Sequence, residues 1–107
     1  PDAGEIARIR AKHTFLKPLT VPANSYPTQT AAISSVGSWS FVLARESLPD
    51  DVAYRLAKTL HGVEAAFCTK LPQACETTAA STVAAAPNLD LIHPGVLKYF
   101  REIGVVK

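Results

Sequence analysis

Small polar and apolar residues alternate along Val36–Ala44, where the sequence reads VGSWSFVLA. Successive side chains of a β-strand point to opposite faces of the sheet, so Trp39 would lie on a bulky apolar face and Ser38 on a small, partly hydroxylic one. From Phe41 to Ala44 both faces are apolar, which is typical of a strand covered on both sides in an α/β sheet. The pattern therefore predicts a buried strand over residues 36–44.

A longer helix is predicted after this strand, over about residues 50–67. Ser47 is a candidate capping residue, Pro49 is tolerated in a first helical turn, and the carboxylate of Asp50 suits a helix N-terminus. Apolar residues recur along one stripe at three- and four-residue steps: Val52, Leu56, Leu60, Val63 and Phe67. We expect this stripe to face the core, and Pro72 to prevent the helix from continuing.

Two elements are predicted before the central strand. Asp2–Lys12 has the pattern of a short helix, with Ile6 and Ile9 on its apolar side. Phe15–Val21 is expected to be extended. Pro18 has no backbone N–H to donate, which restricts this strand to an edge or bulged position.

The C-terminal residues are predicted to form a helix over His93–Gly104. Pro94 suits the first turn of this helix and Gly104 its end. Its apolar side is formed by Val96, Phe100 and Ile103. The preceding residues, Gln73–Pro87, are rich in alanine and threonine with weak periodicity, so a helix and a loop both remain open there.

A loop rich in turn-forming residues precedes the central strand. Pro22 and Pro27 fix the backbone at two points, and Asn24 favours local hydrogen bonds, which indicates an ordered turn. Tyr26 adds an aromatic ring and a hydroxyl, and Gln29 adds an amide. The residues alone leave two interpretations open, a surface connection and a ligand-binding loop.

Composition narrows the possible classes of function. With 48% hydrophobic and 19% charged residues, the chain is expected to fold. The net charge is only +2, and no basic run with interleaved aromatic residues occurs, so we expect no nucleic-acid partner. No apolar run reaches the ~20 residues of a membrane-spanning helix. The chain begins at Pro1 and contains no methionine, so we expect it to be a piece of a longer protein.

No catalytic or cofactor site is predicted. His13, His61 and His93 are far apart along the chain and lack nearby carboxylates or cysteines at ligand spacing. The glycines form no phosphate-binding pattern, and the serines no G-x-S-x-G motif. We therefore expect a binding or structural module that is not an enzyme and has no metal or cofactor.

Two cysteines, Cys68 and Cys75, lie seven residues apart in the sequence CTKLPQAC. A structural disulfide would be expected in an exported protein, and two buried free thiols in a cytosolic one. The residues alone do not distinguish these states.

Three stretches, VPANSYPTQT, VGSWSFVLARESLPDDVAYRLAKTL and IHPGVLKYFREIG, together resemble the C-terminal part of a TAXI-family solute-binding protein of TRAP transporters. The resemblance implies an α/β chain that forms a portion of a type II periplasmic-binding-protein-like fold, with a crossing strand covered by helices. It also implies a periplasmic location, a small organic anion or amino acid as ligand, and an integral-membrane TRAP permease as partner. A free-standing small-molecule-binding or regulatory domain, such as a thiamine-precursor-binding one, is the alternative.

The resemblance also divides the chain between two lobes. Residues 1–32 would end one lobe, residues 33–46 would form the crossing strand, and residues 47–107 would supply the C-terminal helices of the other lobe. Because the N-terminal lobe of such proteins is absent from this sequence, the stripe on the long helix would keep only part of its cover. We therefore expect the isolated 107 residues to self-associate.

The resemblance further assigns candidate site residues. We expect Tyr26 and Gln29, together with Ser38 and Trp39, to contact a small polar solute. Export would expose the cysteines to oxidising conditions. Since Pro72 lets the chain turn back after a helix that ends near Cys68, we predict a Cys68–Cys75 disulfide without a catalytic role.

Overall fold

A computed structural model describes all residues of the chain, Pro1–Lys107. The chain divides into two compact units, Pro1–Ser40 and Phe41–Lys107. Unit 1 contains α1 (Ala3–Lys12), β1 (Lys17–Val21) and β2 (Ile33–Gly37), and unit 2 contains α2 (Asp50–His61), α3 (Glu64–Lys70), α4 (Ala79–Ala85) and α5 (Pro94–Glu102). Short 3-10 helices cover Pro72–Glu76 and Leu89–Leu91. This mixture of helices with a small sheet is compatible with an α/β fold.

The first helix begins at a reciprocal cap. The Asp2 carboxylate accepts a hydrogen bond from the Glu5 backbone N–H at 2.7 Å, and the Asp2 backbone N–H donates to the Glu5 carboxylate at 2.9 Å. This capping box pairs two N–H groups that a helix start leaves without partners. Ile6 and Ile9 are half-buried along α1. The predicted helix over Asp2–Lys12 is confirmed, with Asp2 as its cap.

The two strands of unit 1 form an antiparallel pair. Lys17 lies opposite Gly37 at the open end of this pair, and Val21 lies opposite Ile33 next to the connecting loop. The sheet has only these two strands. Both strands are therefore edge strands, the position that Pro18 requires.

The prediction of a buried strand over Val36–Ala44 is wrong. The strand ends at Gly37, and the residues from Ser38 to Arg45 have no regular secondary structure. Val42 is 92% exposed and Leu43 is 90% exposed. The physical reason lies in the register: β1 begins at Lys17, opposite Gly37, so no partner strand continues beyond that point.

Helices α2 and α5 form the core of unit 2. Ala53 and Ala57 of α2 are buried, and so are Tyr99 and Phe100 of α5. Small side chains on α2 allow a close helix–helix approach. The ring of His61 adds an edge-to-face contact with Phe100, with ring centroids 5.3 Å apart.

The predicted helix over residues 50–67 is interrupted, and its apolar stripe is not the buried face. Gly62 and Val63 separate α2 from α3. Leu56 is 61% exposed and Phe67 is 42% exposed, whereas Ala53 is 2% exposed. The sequence pattern predicts that the largest apolar residues are buried. The structure buries the smallest ones instead, because α5 must approach α2 closely. Val63, at 41% exposure, is likewise outside the core.

The helix caps differ from the predicted ones in detail. Ser47 does not cap α2, whose cap position is Pro49 without a side-chain hydrogen bond. Within Gln73–Pro87, where the sequence allowed either a helix or a loop, Thr78 caps α4 by accepting from the Ser81 backbone N–H at 3.0 Å. The C-terminal helix is confirmed and is followed by Gly104 in the left-handed region, with φ of 77°. Ile103 was predicted to be buried but is 43% exposed.

A polar cluster links α2 to α5 at the surface. The Tyr54 hydroxyl donates to the Glu102 carboxylate, and the Lys58 ammonium lies 3.2 Å from the Tyr54 hydroxyl and 3.5 Å from Glu102. The hydrogen bond from Tyr54, and then the charge of Lys58, lower the pKa of Glu102. The hydrogen bond to Tyr54 and the charge of Glu102 raise the pKa of Lys58. The cluster is solvent-exposed, so its effect on stability is modest.

Candidate functional site

The loop between β1 and β2 is organised by the side chain of Gln29. Its amide nitrogen donates to the backbone carbonyls of Pro22 at 2.9 Å and Ala31 at 2.8 Å. Its amide oxygen accepts from the backbone N–H of Tyr26 at 3.2 Å. Both amide hydrogens are thus used within the loop. The Gln29 side chain therefore fixes the backbone of the loop at Tyr26.

Backbone hydrogen bonds close the same loop. The Asn24 N–H donates to the Gln29 carbonyl at 2.8 Å, and the Gln29 N–H donates to the Tyr26 carbonyl at 3.1 Å. Two residues have positive φ, Asn24 at 63° and Thr28 at 69°. Asparagine tolerates this conformation, whereas a β-branched threonine adopts it rarely. The surrounding hydrogen bonds therefore hold Thr28 in an unfavourable backbone conformation, which is a common feature of ligand-binding loops.

Tyr26 is the side chain that this loop presents outward. It is 66% exposed, and its hydroxyl forms no hydrogen bond within the chain. Residues 22–32 contain no charged side chain. The loop can therefore offer a ring face, hydroxyls and backbone groups to a solute, but no cation to neutralise an anion.

Ser38 and Trp39 are placed differently from the loop residues. Both follow the end of β2, with Ser38 exposed and Trp39 half-buried. No side-chain hydrogen bond joins either of them to Tyr26 or Gln29. The structure thus brings together two of the four predicted contact residues, and contact with a solute stays a prediction for all four.

A groove in unit 2 was not foreseen from the sequence. It has a volume of about 630 Å³ and is lined mainly by apolar residues from Phe41–Ala44, from the end of α4, and from Leu91–Val96. Glu46 and Asp90 also line it, and neither forms an ion pair. No sequence signal identifies this groove, because its walls come from segments that are far apart along the chain.

The histidines of unit 2 have structural partners. His93 Nε2 lies 2.9 Å from the Leu48 carbonyl, so it donates there, and His93 Nδ1 accepts from the Gly95 N–H at 3.2 Å. The ring thereby caps α5 and ties it to the start of α2. His61 Nδ1 lies 2.7 Å from the Glu64 carboxylate. No group of three or more potential metal-ligating side chains is gathered anywhere in the chain.

A disulfide joins Cys68, near the end of α3, to Cys75 in the following 3-10 helix. Their Cα atoms lie 4.2 Å apart. The turn at Leu71 and Pro72 redirects the chain between them, with Leu71 in an extended backbone conformation. The bond therefore clips the end of α3 to the segment that leads into α4.

Comparison with known proteins supplies a family. The model of a family described as NMT1-like matches residues 2–104, which is nearly the whole chain. The chain belongs to the NMT1-like family. NMT1-like proteins are substrate-binding proteins, typically periplasmic or extracellular, that bind a small ligand and generally deliver it to a membrane component. No curated protein and no solved structure matches the chain significantly.

Membership in the NMT1-like family gives this chain a solute-binding role. Two sequence motifs of this chain have different structural roles. The loop motif containing Tyr26 and Gln29 builds a preorganised, uncharged surface. The His93-Pro-Gly motif packs α5 onto α2. No helix of this NMT1-like chain is both long and apolar enough to cross a bilayer.

Proposed function

We propose that this chain is part of the solute-binding component of a TRAP-type secondary transporter of the TAXI kind. It captures a small organic anion or amino acid in the periplasm and delivers the solute to an integral-membrane permease. NMT1-like family membership supports the solute-binding role. The three TAXI-like stretches, in their order along the chain, support the narrower transporter assignment.

One observation carries the proposal: the Gln29 amide fixes a loop that exposes an unbonded tyrosine hydroxyl. With the loop backbone fixed in this way, the exposed Tyr26 hydroxyl can donate to a carboxylate oxygen of the solute. Preorganisation of this kind increases affinity because less conformational freedom is lost on binding. Tyr26 is the contact residue, and Gln29 is the positioning residue.

The charge of the solute must be balanced outside this loop. Residues 22–32 carry no cation. In a type II binding fold the solute lies between two lobes, so we assign its counter-charge to residues outside this loop. We assign residues 1–32 to one lobe, 33–46 to the crossing segment and 47–107 to the other lobe. The division into compact units between Ser40 and Phe41 supports a boundary within the crossing segment.

The solute is bound and released unchanged in this proposal. The side chains of the loop include no base near a nucleophile, and the histidines of unit 2 serve as a cap and as packing residues. A binding protein needs only shape and hydrogen bonds that discriminate one solute from another. We therefore assign no reaction and no cofactor to the chain.

Ligand-dependent thermal stabilisation of the full-length protein tests the proposal. A panel of small carboxylates and amino acids is compared with neutral sugars and polyamines, and we expect stabilisation by at least one carboxylate or amino acid. Tyr26→Phe should weaken binding of that solute. Tyr99→Phe, a matched change in the core of unit 2, should not. If no member of the carboxylate or amino-acid sets stabilises the protein, the proposal is wrong.

A further inference from the structure

His93 lies at the start of α5, with its side chain only 11% exposed. A neutral imidazole ring has one N–H donor and one nitrogen acceptor, and here both are used. Nε2 donates to the Leu48 carbonyl at 2.9 Å, and Nδ1 accepts from the Gly95 N–H at 3.2 Å. This arrangement requires an uncharged ring, because a protonated imidazole has two donors and no acceptor.

The Gly95 N–H depends on the His93 ring for its hydrogen bond. It belongs to the first turn of α5, whose N–H groups have no acceptor within the helix. Gly95 is buried, and no other group of the chain accepts from its N–H. A buried N–H without a partner costs free energy. Protonation of His93 therefore removes the acceptor that holds the first turn of α5.

A second acceptor lies beside the same ring nitrogen. The Asp50 carboxylate of α2 is 3.8 Å from His93 Nδ1. This distance is too long for a hydrogen bond, and it leaves only a small gap to be closed if Nδ1 acquires a proton. The Asp50 side chain is 70% exposed, so it is free to turn toward the ring.

We propose that His93 is a proton-operated switch at the junction of α2 and α5. In its neutral form the ring caps α5 through the Gly95 N–H. In its protonated form the ring keeps its hydrogen bond to the Leu48 carbonyl, releases Gly95 and pairs with Asp50. The proton is exchanged with solvent, and no covalent bond between heavy atoms changes. This inference concerns unit 2 and does not depend on the proposed transport function.

The other charged groups around His93 are carboxylates. Glu46, in the segment before α2, and Asp90, in the second 3-10 helix, line the same groove as His93. Helix α4 contributes only uncharged residues to that groove. The dipole of α5 opposes a cation at its N-terminal end, whereas carboxylates favour one. Asp50 belongs to the helix that packs on α5 and has the carboxylate that pairs with the ring, so it is the group that offsets the dipole.

His61 provides a comparison within unit 2. Its Nδ1 lies 2.7 Å from the Glu64 carboxylate, and its side chain is buried. A carboxylate accepts a hydrogen bond from Nδ1 whether or not the ring carries a second proton. Protonation of His61 therefore breaks no hydrogen bond at Nδ1. Of these two histidines, only His93 would have to exchange partners.

Hydrogen exchange measured by NMR on the full-length protein tests the switch. The charge of His93 is followed by its ring-nitrogen shifts from about pH 8 to about pH 5, the range in which histidine charge ordinarily changes. The Gly95 amide is followed by its protection factor, which corrects for the intrinsic pH dependence of exchange. Loss of the cap should lower Gly95 protection about fivefold as His93 becomes charged. The Phe100 amide, in the core of unit 2, should keep its protection.

Asp50→Asn and Asp51→Asn form a matched pair of variants. Each removes one carboxylate from the first turn of α2, but Asp51 pairs with Arg55, whereas Asp50 faces His93. Gly95 should keep its protection to lower pH in Asp50→Asn than in Asp51→Asn. His93→Asn keeps an oxygen acceptor at the cap position and cannot become charged, so its Gly95 protection should not depend on pH. If His93→Asn does not fold, the aspartate pair decides.

The outcomes decide the proposal. A fall in Gly95 protection that follows the charge of His93, and that separates the two aspartate variants, supports the switch. Unchanged Gly95 protection while His93 becomes charged overturns it, and so does a His93 ring that stays neutral throughout the pH range. Identical behaviour of Asp50→Asn and Asp51→Asn overturns the role of Asp50 and with it the proposed exchange. An equal fall at the Phe100 amide would mean that unit 2 unfolds as a whole, which also overturns the proposal.

Discussion

Gly95 of α5 lies against the backbone of Asp50 at the start of α2, with no space for a side chain between them. A Cβ atom at Gly95 would lie 2.9 Å from the Asp50 carbonyl carbon and 3.0 Å from the Ala53 Cβ, and it would lie closer still to the Asp50 carbonyl oxygen. The glycine of the His93-Pro-Gly motif is therefore required by helix packing.

Gly95→Ala should destabilise unit 2. The added methyl group can be accommodated only if α5 moves away from α2, which loosens the contacts of Phe100. Overpacking of this kind costs about 1–3 kcal/mol. Urea unfolding measures the loss of free energy. Gly4→Ala in exposed α1 is the matched control, since the nearest atom to its new methyl group is in the Asp2 side chain, 3.2 Å away. Equal stability of both variants would contradict the packing argument.

Gln29 and Tyr26 have different proposed roles in the loop: Gln29 positions the loop, and Tyr26 contacts the solute. Gln29→Glu replaces the amide donors with oxygen and should open the loop, because two carbonyls lose their partners. Amide exchange at Asn24 and Tyr26 should become roughly tenfold faster, as expected for the loss of about one hydrogen bond. Exchange measured by NMR tests this. Gln73→Glu, at an exposed amide without a side-chain hydrogen bond, should leave the loop unchanged.

Tyr26→Phe should weaken solute binding without opening the loop. The Tyr26 hydroxyl forms no hydrogen bond in the chain, so its removal leaves the loop intact. A solute that accepts a hydrogen bond from it should lose about 1–3 kcal/mol of binding free energy, roughly 5- to 150-fold in affinity. Isothermal titration calorimetry on the full-length protein measures this. Unchanged affinity would place the site elsewhere.

Reduction should destabilise the end of α3. The Cys68–Cys75 bond closes a short loop, and the chain-entropy estimate for such a loop is about 2–3 kcal/mol. Thermal unfolding should shift to lower temperature when reductant is added. A variant with both cysteines changed to serine should not respond to reductant. Thiol titration of the denatured, unreduced protein should detect no free thiol, and two thiols would show that the bond is absent.

Glu102 should contribute to stability at neutral pH and lose that contribution in acid. Its pKa is lowered in the folded state by the Tyr54 hydrogen bond and by Lys58. A group with a lowered folded-state pKa stabilises the fold above its unfolded pKa, and the contribution disappears as pH falls through the folded value. The relevant window therefore lies below the ordinary value of 4.5. Unfolding curves recorded from pH 7 to pH 2 follow this loss.

Glu102→Gln should remove the loss of unfolding free energy that protonation of Glu102 causes in acid. The variant and the unmodified protein should therefore become nearly equal in stability at low pH. Glu76→Gln, at an exposed carboxylate without an ion pair, should leave that loss unchanged. The raised pKa of Lys58 acts at the opposite limit, since its contribution is complete below 10.5 and is lost as pH rises through the folded value. If Glu102→Gln and Glu76→Gln changed the pH dependence of stability equally, the role of the cluster would be contradicted.

The sequence by itself determined the elements whose signals are local. The Asp2 and Glu5 capping pair fixed the start of α1, because its hydrogen bonds join residues three positions apart. Pro94 and Gly104 bounded the C-terminal helix for the same reason. The alternation along Val36–Ala44 was equally clear, yet it predicted the wrong structure, because a strand needs a partner and the register of β1 provides none beyond Gly37.

The tertiary structure decided what depends on neighbours distant in the chain. Helix α2 has one stripe of large apolar residues and one stripe of small residues. Ala53 and Ala57 of the second stripe are buried because α5 approaches α2 closely. Tyr26 and Gln29 were recognisable as loop residues, but only folding showed that the Gln29 amide is used within the loop. Burial and hydrogen-bond saturation are properties of a whole arrangement of atoms, so no local pattern of residues specifies them.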